Sequence, residues 1–340
     1  MKTINFALSW DKDKCLFTDI LQSDLKRKGF SFRWITIDNV QDIIRKLECN
    51  ELRINVLLDT EATYDEQGDL YARLAYAVKD SGGVVINDPD RTRMSVDKSV
   101  MYYELVHAGV TTPYTVVVRN WEPNSFKLTE EEKQKLGVPF IIKPGCGWGH
   151  RGVLYDAKGT IREIARARDF DRGDNFLLQE KICPVDLNGK RAWFRIFHVF
   201  DKIIPCWWDD RTSRYEHVNE TEFARYDLSK LVKMTVKIAS LSRMSWFSTE
   251  IAIDKVDGRK RFVSIDHVND QCDMEASSES KDGVPDRIVR LTASSMVDAM
   301  KIIVSDKKTP QKRYATCLKG AKEVRKVRGL GYAPDLLLQR

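Results

Sequence analysis

The sequence predicts an α/β protein on three observations. Residues 1–112 alternate short apolar runs with helical patterns, residues 113–207 form a β-rich block with one helix, and the last third returns to mixed helix and strand. Alternation of the first kind marks βαβ units on a mostly parallel sheet. A chain of 340 residues with 42% hydrophobic content can bury a sizeable core, and roughly two or three structural units are expected at that length. The changes of pattern divide the chain at 1–112, 113–207 and 208–306, followed by an extension at 307–340.

Taken in order, residues 4–8 read as a strand, 16–28 as a helix, 32–37 as a strand, 40–47 as a helix, 54–58 as a strand, 69–80 as a helix and 84–86 as a short strand. No G-x-G-x-x-G follows the first strand, so no dinucleotide-binding turn is indicated there. Asn87-Asp88-Pro89 breaks the pattern. Ser95 is placed to cap a helix running to His107, with Asp97 in its acidic first turn. Lys98 near that start opposes the helix dipole, which favours a role facing an anion.

The helix ends at Gly109, and the chain turns through Pro113 into a strand reaching Val118. A polar stretch at 120–132 and a short helix lead to VPFIIKPGCGWGHRGVLY at 138–155. This is a strand ending at Lys143, a loop with Gly145, Gly147, Gly149 and Gly152, and a second apolar run: a hairpin with a long, flexible tip. Glycine lets backbone N–H groups approach a ligand closely, and a lysine beside them adds charge, which together suit a polyphosphate. The spacing is not the Walker pattern, and no helix pattern directly follows the glycines. Residues 160–168 then read as a helix, 176–182 as a strand, and 192–200 and 202–207 as strands joined at Asp201. A helix at 228–241 precedes strands at 246–253 and 261–265, a polar turn VNDQCDM, a loop at 277–285 and an amphipathic helix at 286–304.

Charge is unevenly placed. From Lys307 onward ten basic residues face only Glu323 and Asp335, so the rest of the chain is left with −2 of the net +6. Such a tail reads as a solvated helix or an extension packed on its own domain, with an anionic partner as the alternative. Seven scattered cysteines without a C-x-x-C pair read as reduced thiols, Cys146 in the glycine loop among them. No run of about 18 apolar residues occurs, and the opening MKTINFALSW gives way to DKDK, so a cytoplasmic protein is expected.

Glu250 lies within one strand and Asp266 at the end of the next, with Asn269, Asp270 and Asp273 just beyond. Two carboxylates brought to one edge, with a neutral amide oxygen, suit a hard divalent cation, particularly when phosphates complete its coordination.

In chain order, INDPDRTRMSVDKSVMYYELVHAGVTTPYT, VPFIIKPGCGWGHRGV, FLLQEKI, RAWFRIFHVFDKIIPCW, STEIAID and RFVSIDHVND resemble the ATP-grasp superfamily over roughly residues 80–305. The nearest branch is the glutathione-synthetase-like one, which includes ribosomal-protein-modifying carboxylate–amine ligases. The resemblance implies an ATP-grasp fold: an N-terminal α/β domain at 1–112, and two α+β subdomains, at 113–207 with a glycine-rich flap and at 208–306 with a metal site, clamping the nucleotide. It places Lys98 and Lys143 on the phosphates of ATP, under a flap that includes Gly145, Gly147 and Gly149. Gln179, Glu180 and Ile182 form the adenine hinge, where backbone groups and a carboxylate read the amino edge of the base, and Asp186 contacts the ribose. Arg195 steadies the transferred phosphate or acyl phosphate and, with Lys143, is catalytic. Arg191 and Arg211 hold an anionic substrate. Glu250, Asp266 and Asn269 bind Mg²⁺, or Mn²⁺ in its place. The final metal strand departs from the family's Glu-x-Asn, reading Asp266-His267-Val268-Asn269; either a bulge restores Asn269 or Asp270 replaces it.

The activity implied is ATP-dependent joining of a small-molecule carboxylate to an amino-acid-like amine through an acyl phosphate, releasing ADP and phosphate. Phosphoryl transfer to a hydroxyl is the alternative, and a non-catalytic nucleotide-binding protein with a basic partner-binding tail is the third reading. Neither membrane nor nucleic acid is expected as a partner, and a homodimer is left open.

Overall fold

The computed structural model describes residues 1–147 and 149–305; the basic extension lies outside the described residues. The first elements follow the predicted alternation: β1 (Lys2–Ser9), α1 (Leu16–Arg27), β2 (Phe32–Ile35), α2 (Val40–Glu48), β3 (Leu52–Leu58), α3 (Leu70–Asp80) and β4 (Val84–Ile86). They build a parallel sheet in the order β2-β1-β3-β4, as strands joined by helical crossovers do. Its inner strands are apolar on both faces because both are covered. Phe6, Leu8, Val56 and Leu58 meet Phe17, Leu21 and Leu25 of α1 on one side. Ala7 and Leu57 meet Ile43, Ile44 and Leu47 of α2 and Leu74, Ala75 and Val78 of α3 on the other.

Beyond this sheet the expected helix start is corrected. Pro89 opens a separate helix, α4 (Pro89–Val96), with Ser95 buried inside it. Proline at a first helical position sacrifices only an N–H that has no intrahelical partner. The next helix, α5 (Lys98–His107), is capped by Asp97, whose Oδ1 accepts the N–H groups of Ser99 and Val100 at 2.8 and 3.3 Å. A carboxylate there also meets the positive end of the dipole, which a serine hydroxyl does not.

β5 (Thr115–Val118), α6 (Glu130–Leu136), β6 (Phe140–Pro144), β7 (Leu154–Ala157), α7 (Ile161–Arg168) and β8 (Phe176–Gln179) follow. The strands form an antiparallel sheet, β5-β8-β6-β7. Both helices start with reciprocal capping boxes, Thr129 with Glu132 and Thr160 with Glu163. Phe140 and Ile142 on β6, with Phe176 and Leu178 on β8, pack into one core with Leu136 and Ile164. Strand alternation then turns Ile141 and Lys143 to the opposite face. Burial of the phenylalanine is thus what presents the lysine.

Asn188 and Gly189, both with positive φ, join the short strands β9 (Asp186–Leu187) and β10 (Lys190–Arg191), as two-residue hairpin turns require. Then come β11 (Trp193–Val199), β12 (Lys202–Asp209), β13 (Arg214–His217), α8 (Glu220–Arg225), α9 (Ser229–Ser242), β14 (Trp246–Val256), β15 (Arg259–Asn269) and α10 (Asp286–Ser305). The sheet order is β13-β12-β11-β14-β15. β14 and β15 run longer than the sequence suggests, meeting at Asp257-Gly258 with φ of 50° and 76°. Asp266 therefore lies inside β15, three residues before its end. The sequence reading omits β9, β10, β13, α4 and α8.

The chain divides into two compact units. Among the described residues, one comprises Met1–Arg93, Phe194–Thr249 and the chain from Asn269 to Ser305; the other comprises Met94–Trp193 and Glu250–Val268. These units draw on non-successive stretches, whereas the boundaries read from the sequence mark successive ones. In the first unit α10 supplies Ile288, Val289, Met296 and Met300 to the core of the parallel sheet. Among the described residues, no helix is long and apolar enough to cross a membrane.

Candidate functional site

Within the second unit, Lys98 and Lys143 are brought to the root of the glycine loop. The Lys98 Nζ donates to Gly147 O at 2.7 Å and its backbone N–H to Gly145 O at 2.9 Å. The Lys143 Nζ donates to Ile265 O at 3.3 Å. Burial pushes the Lys143 ammonium down to about 8, and Lys98 pushes it the same way, while Asp266 and Glu250 oppose the shift. Three side chains far apart in sequence therefore act on the one charge of Lys143.

The glycines have distinct tasks. A Cβ on Gly145 would stand 2.9 Å from Asp174 Oδ1 and 3.2 Å from Asp97 Oδ1, so only glycine lets the backbone lie between those carboxylates. Gly149 adopts a φ of 58°. His150, the next residue, bonds through Nδ1 to the Tyr155 hydroxyl at 2.6 Å. Asp174 escaped the sequence reading: its Oδ2 accepts the Cys146 N–H at 2.7 Å and its Oδ1 the Asn175 N–H at 2.7 Å. Burial raises its carboxyl to about 6, and Asp97 and Asp171 push the same way.

A carboxyl that holds its proton more tightly in the native state adds stability at low pH, and that stability is lost as pH rises toward 6. Asp174→Asn removes the buried charge while its amide oxygen still accepts one N–H. It is expected to stabilise the fold at pH 7.5 by on the order of 1 kcal/mol, after discounting for partial exposure, with the gain disappearing near pH 4. Thermal melts of both proteins across that range check it.

On the neighbouring hairpin, Glu250 and Asp266 are half-buried. The Trp193 indole N–H donates to Glu250 Oε2 at 2.9 Å, a partner the sequence did not suggest. His267 is buried, bonded through Nδ1 to the Ser264 hydroxyl at 3.0 Å, and held neutral: burial brings its imidazole down to about 3. Among the described residues no group of three His, Cys, Asp or Glu side chains forms a metal cluster. Two carboxylates beside two ammonium groups instead fit a cation that arrives with its own anionic oxygens.

The residues expected to form the hinge lie on β8 and just after it. The buried Gln179 amide donates to the Thr115 hydroxyl at 3.2 Å. Glu180 Oε2 accepts the Tyr114 N–H at 3.0 Å, and Oε1 accepts Arg261 Nη2 at 2.9 Å. Ile182 packs on Ala252 and Val263, with Trp193 and Ile265 alongside. Asp186 is exposed and accepts the Gly189 N–H at 2.8 Å, closing the hairpin that pairs it with Arg191.

Arg195, Arg211 and Asn269 belong to the first unit. The Arg195 guanidinium lies over the Trp208 ring, 4.9 Å from its centroid, and donates to the Tyr215 hydroxyl at 3.1 Å. Burial raises that phenol to about 12. Arg211 is exposed in the turn after β12, its backbone N–H bonded to Asp209 Oδ1 at 3.0 Å. Asn269, half-buried at the end of β15, accepts the Cys272 thiol through its carbonyl at 3.6 Å.

No family model matches the chain. By sequence, 175 residues (50% of the chain) are 23% identical to D-alanine–D-alanine ligase of Bacillus anthracis; the match covers 54% of that protein, so the chain spans about half the length of the curated relatives it matches. By structure, it is similar to the Bacillus anthracis D-alanine–D-alanine ligase complexed with ATP, with a TM-score of 0.58 and 14% identity over 93% of this chain and 99% of the other. It is also similar to a RimK domain ATP-grasp protein from Sphaerobacter thermophilus, with a TM-score of 0.56 and 18% identity over 86% and 98%. The ATP-grasp ligase PsnB, complexed with minimal precursor, Mg and ADP, gives a TM-score of 0.56 and 13% identity over 89% and 99%. This chain folds as an ATP-grasp protein.

Proposed function

We propose that this protein is an ATP-dependent carboxylate–amine ligase. One observation carries the reading: Lys98 and Lys143 meet at the root of the glycine loop, the Lys143 Nζ resting on Ile265 O beside Asp266, with Asp266 and Glu250 both acting on its charge. A triphosphate would add negative charge beside the two lysines, and its metal would lie between those phosphates and the two carboxylates.

In this reading residues 1–112 are the domain preceding the grasp, and 113–207 and 208–306 are its two halves. Lys98 and Lys143 hold the phosphates beneath Gly145, Gly147 and Gly149. The base lies against the apolar group of Ile182, Val263, Ile265 and Trp193, with Gln179–Ile182 along its edge and Asp186 at the ribose. Glu250 and Asp266 would hold Mg²⁺, or Mn²⁺ in its place, with Asn269 or Asp270 completing the set, and the ion when bound would supply neutralisation of phosphate charge. Arg195 steadies the phosphate in flight, and Arg191 and Arg211 hold the acid substrate. We assign the protein to the cytoplasm.

The acid's carboxylate oxygen attacks the γ-phosphorus and ADP leaves, giving an acyl phosphate. The amine then attacks the carbonyl carbon, phosphate leaves with the electron pair of the C–O bond, and the amine loses a proton. Carboxylates acylate poorly because oxide is a poor leaving group, which phosphorylation corrects. The chain's own contribution is positioning, charge neutralisation and exclusion of water by the loop.

The test is an ADP-release screen of carboxylic acids paired with amino acids, with product analysis. ADP and free phosphate in step with an amide are expected. Phosphate retained on the product would make the protein a kinase, and binding without turnover would make it non-catalytic.

A further inference from the structure

Arg261 has no place in the nucleotide reading, yet it ties three parts of the second unit together. The Asp257-Gly258 turn sets the register of its hairpin, leaving Asp254 and Arg261 equidistant from the turn. Arg261 Nε donates to Asp254 Oδ1 at 3.0 Å and its Nη2 to Asp254 Oδ2 at 2.6 Å. The same Nη2 reaches Glu180 Oε1 at 2.9 Å. Glu180 is in turn held at Tyr114 twice: its Oε2 accepts the Tyr114 N–H at 3.0 Å, and its own N–H donates to Tyr114 O at 2.8 Å. Two residues on, Ile182 packs against Ala252 and Val263 of the same hairpin, and the Val185 N–H bonds Ile253 O at 2.8 Å.

A fork to Asp254 alone would staple the hairpin. The additional bond to Glu180 fixes something else, the direction in which residues 180–182 present their backbone. The Glu180 carboxylate faces Tyr114 and Arg261, and rotating it toward a base would break two bonds in a site where its side chain is 24% exposed. Charge-assisted bonds in such surroundings are costly to leave unmade.

We propose that Arg261 is a positioning residue for nucleotide binding: through Glu180 it holds the segment Glu180–Ile182, whose main-chain N–H and C=O groups read the base, while the Glu180 carboxylate serves the scaffold. The inference rests on the ligase reading above and adds the origin of its base recognition.

The experiment measures binding of Mg²⁺ with the non-hydrolysable analogue AMPPNP by calorimetry, alongside melts without nucleotide. Arg261→Met is expected to weaken binding about tenfold, raising KM for ATP similarly with kcat within about twofold. Arg261→Lys, which keeps the charge but not the fork, is expected to fall between Met and wild type. Glu180→Gln puts an amide N–H₂ against one of two donors, so it is expected to match Arg261→Met, and the double variant to be no worse than either single. The preference for ATP over inosine triphosphate is expected to survive in Glu180→Gln, because the main chain reads the amino edge. Unchanged binding in Arg261→Met, additive losses, or collapse of that preference would each overturn the inference. Wild-type protein that does not bind AMPPNP overturns the nucleotide reading and this inference with it.

Discussion

Lys143→Ala is expected to lower ATP-dependent turnover by at least about 100-fold while leaving the fold intact. Loss of one preorganised donor at a reacting phosphate costs about 10²–10³ in rate, and here the remaining cation, Lys98, is partly engaged with Gly147 O. Stability should move the other way. Burial holds the Lys143 ammonium at about 8, below its ordinary 10.5, so the unfolded chain binds that proton more tightly than the native one. Native stability is therefore reduced by Lys143 below pH 8 and recovers as pH rises from 8 toward 10.5. In Lys143→Ala that recovery should be missing, and the melting temperature at pH 7.5 should equal or exceed that of wild type. Steady-state kinetics and melts from pH 7 to 10 check both halves; wild-type turnover in the variant would remove Lys143 from the proposed site.

Asp266→Ala should be equally severe for a different reason. It removes a candidate metal carboxylate and the strongest support for the Lys143 charge, since Asp266 is the first group opposing that lysine's downward shift. The ammonium then falls below about 8 and is partly neutral at working pH. Turnover is expected to drop at least about 100-fold, with AMPPNP binding losing its response to Mg²⁺. Because one substitution disables the other's target, Lys143→Ala with Asp266→Ala should be far from additive. Additive losses would mean that the two residues do not share a site.

Much of this could be read from local signals. Periods of 2 and 3.6 placed every element of the parallel sheet, and the S/T-x-x-E boxes at Thr129 and Thr160 mark real helix starts. In FIIK three apolar residues run together, and only the burial of Phe140 and Ile142 shows that Lys143 lies on the other face. Where two local signals competed, sequence chose wrongly: Ser95 is an acceptable cap, but Asp97 takes that role because Pro89 starts its own helix first. Strand ends were cut short for a related reason. Asp254 and Asn269 read as turn residues and Asp266 as a strand end, yet hairpin pairing extends β14 and β15 through them.

Composition, periodicity and motif order by themselves determined the α/β class, the order of the elements of the parallel sheet and the residue types available for chemistry. Tertiary structure alone decided which of those residues meet. Trp193 reaches Glu250 across 57 positions and Arg261 reaches Glu180 across 81, separations at which no helical or strand period links two side chains. Propensity and capping act within a turn or two of chain, whereas hydrogen bonds and desolvation act on whatever packing brings within a few ångströms. The lowered proton affinity of Lys143 is of that second kind: it exists only once strands distant in sequence have closed around it.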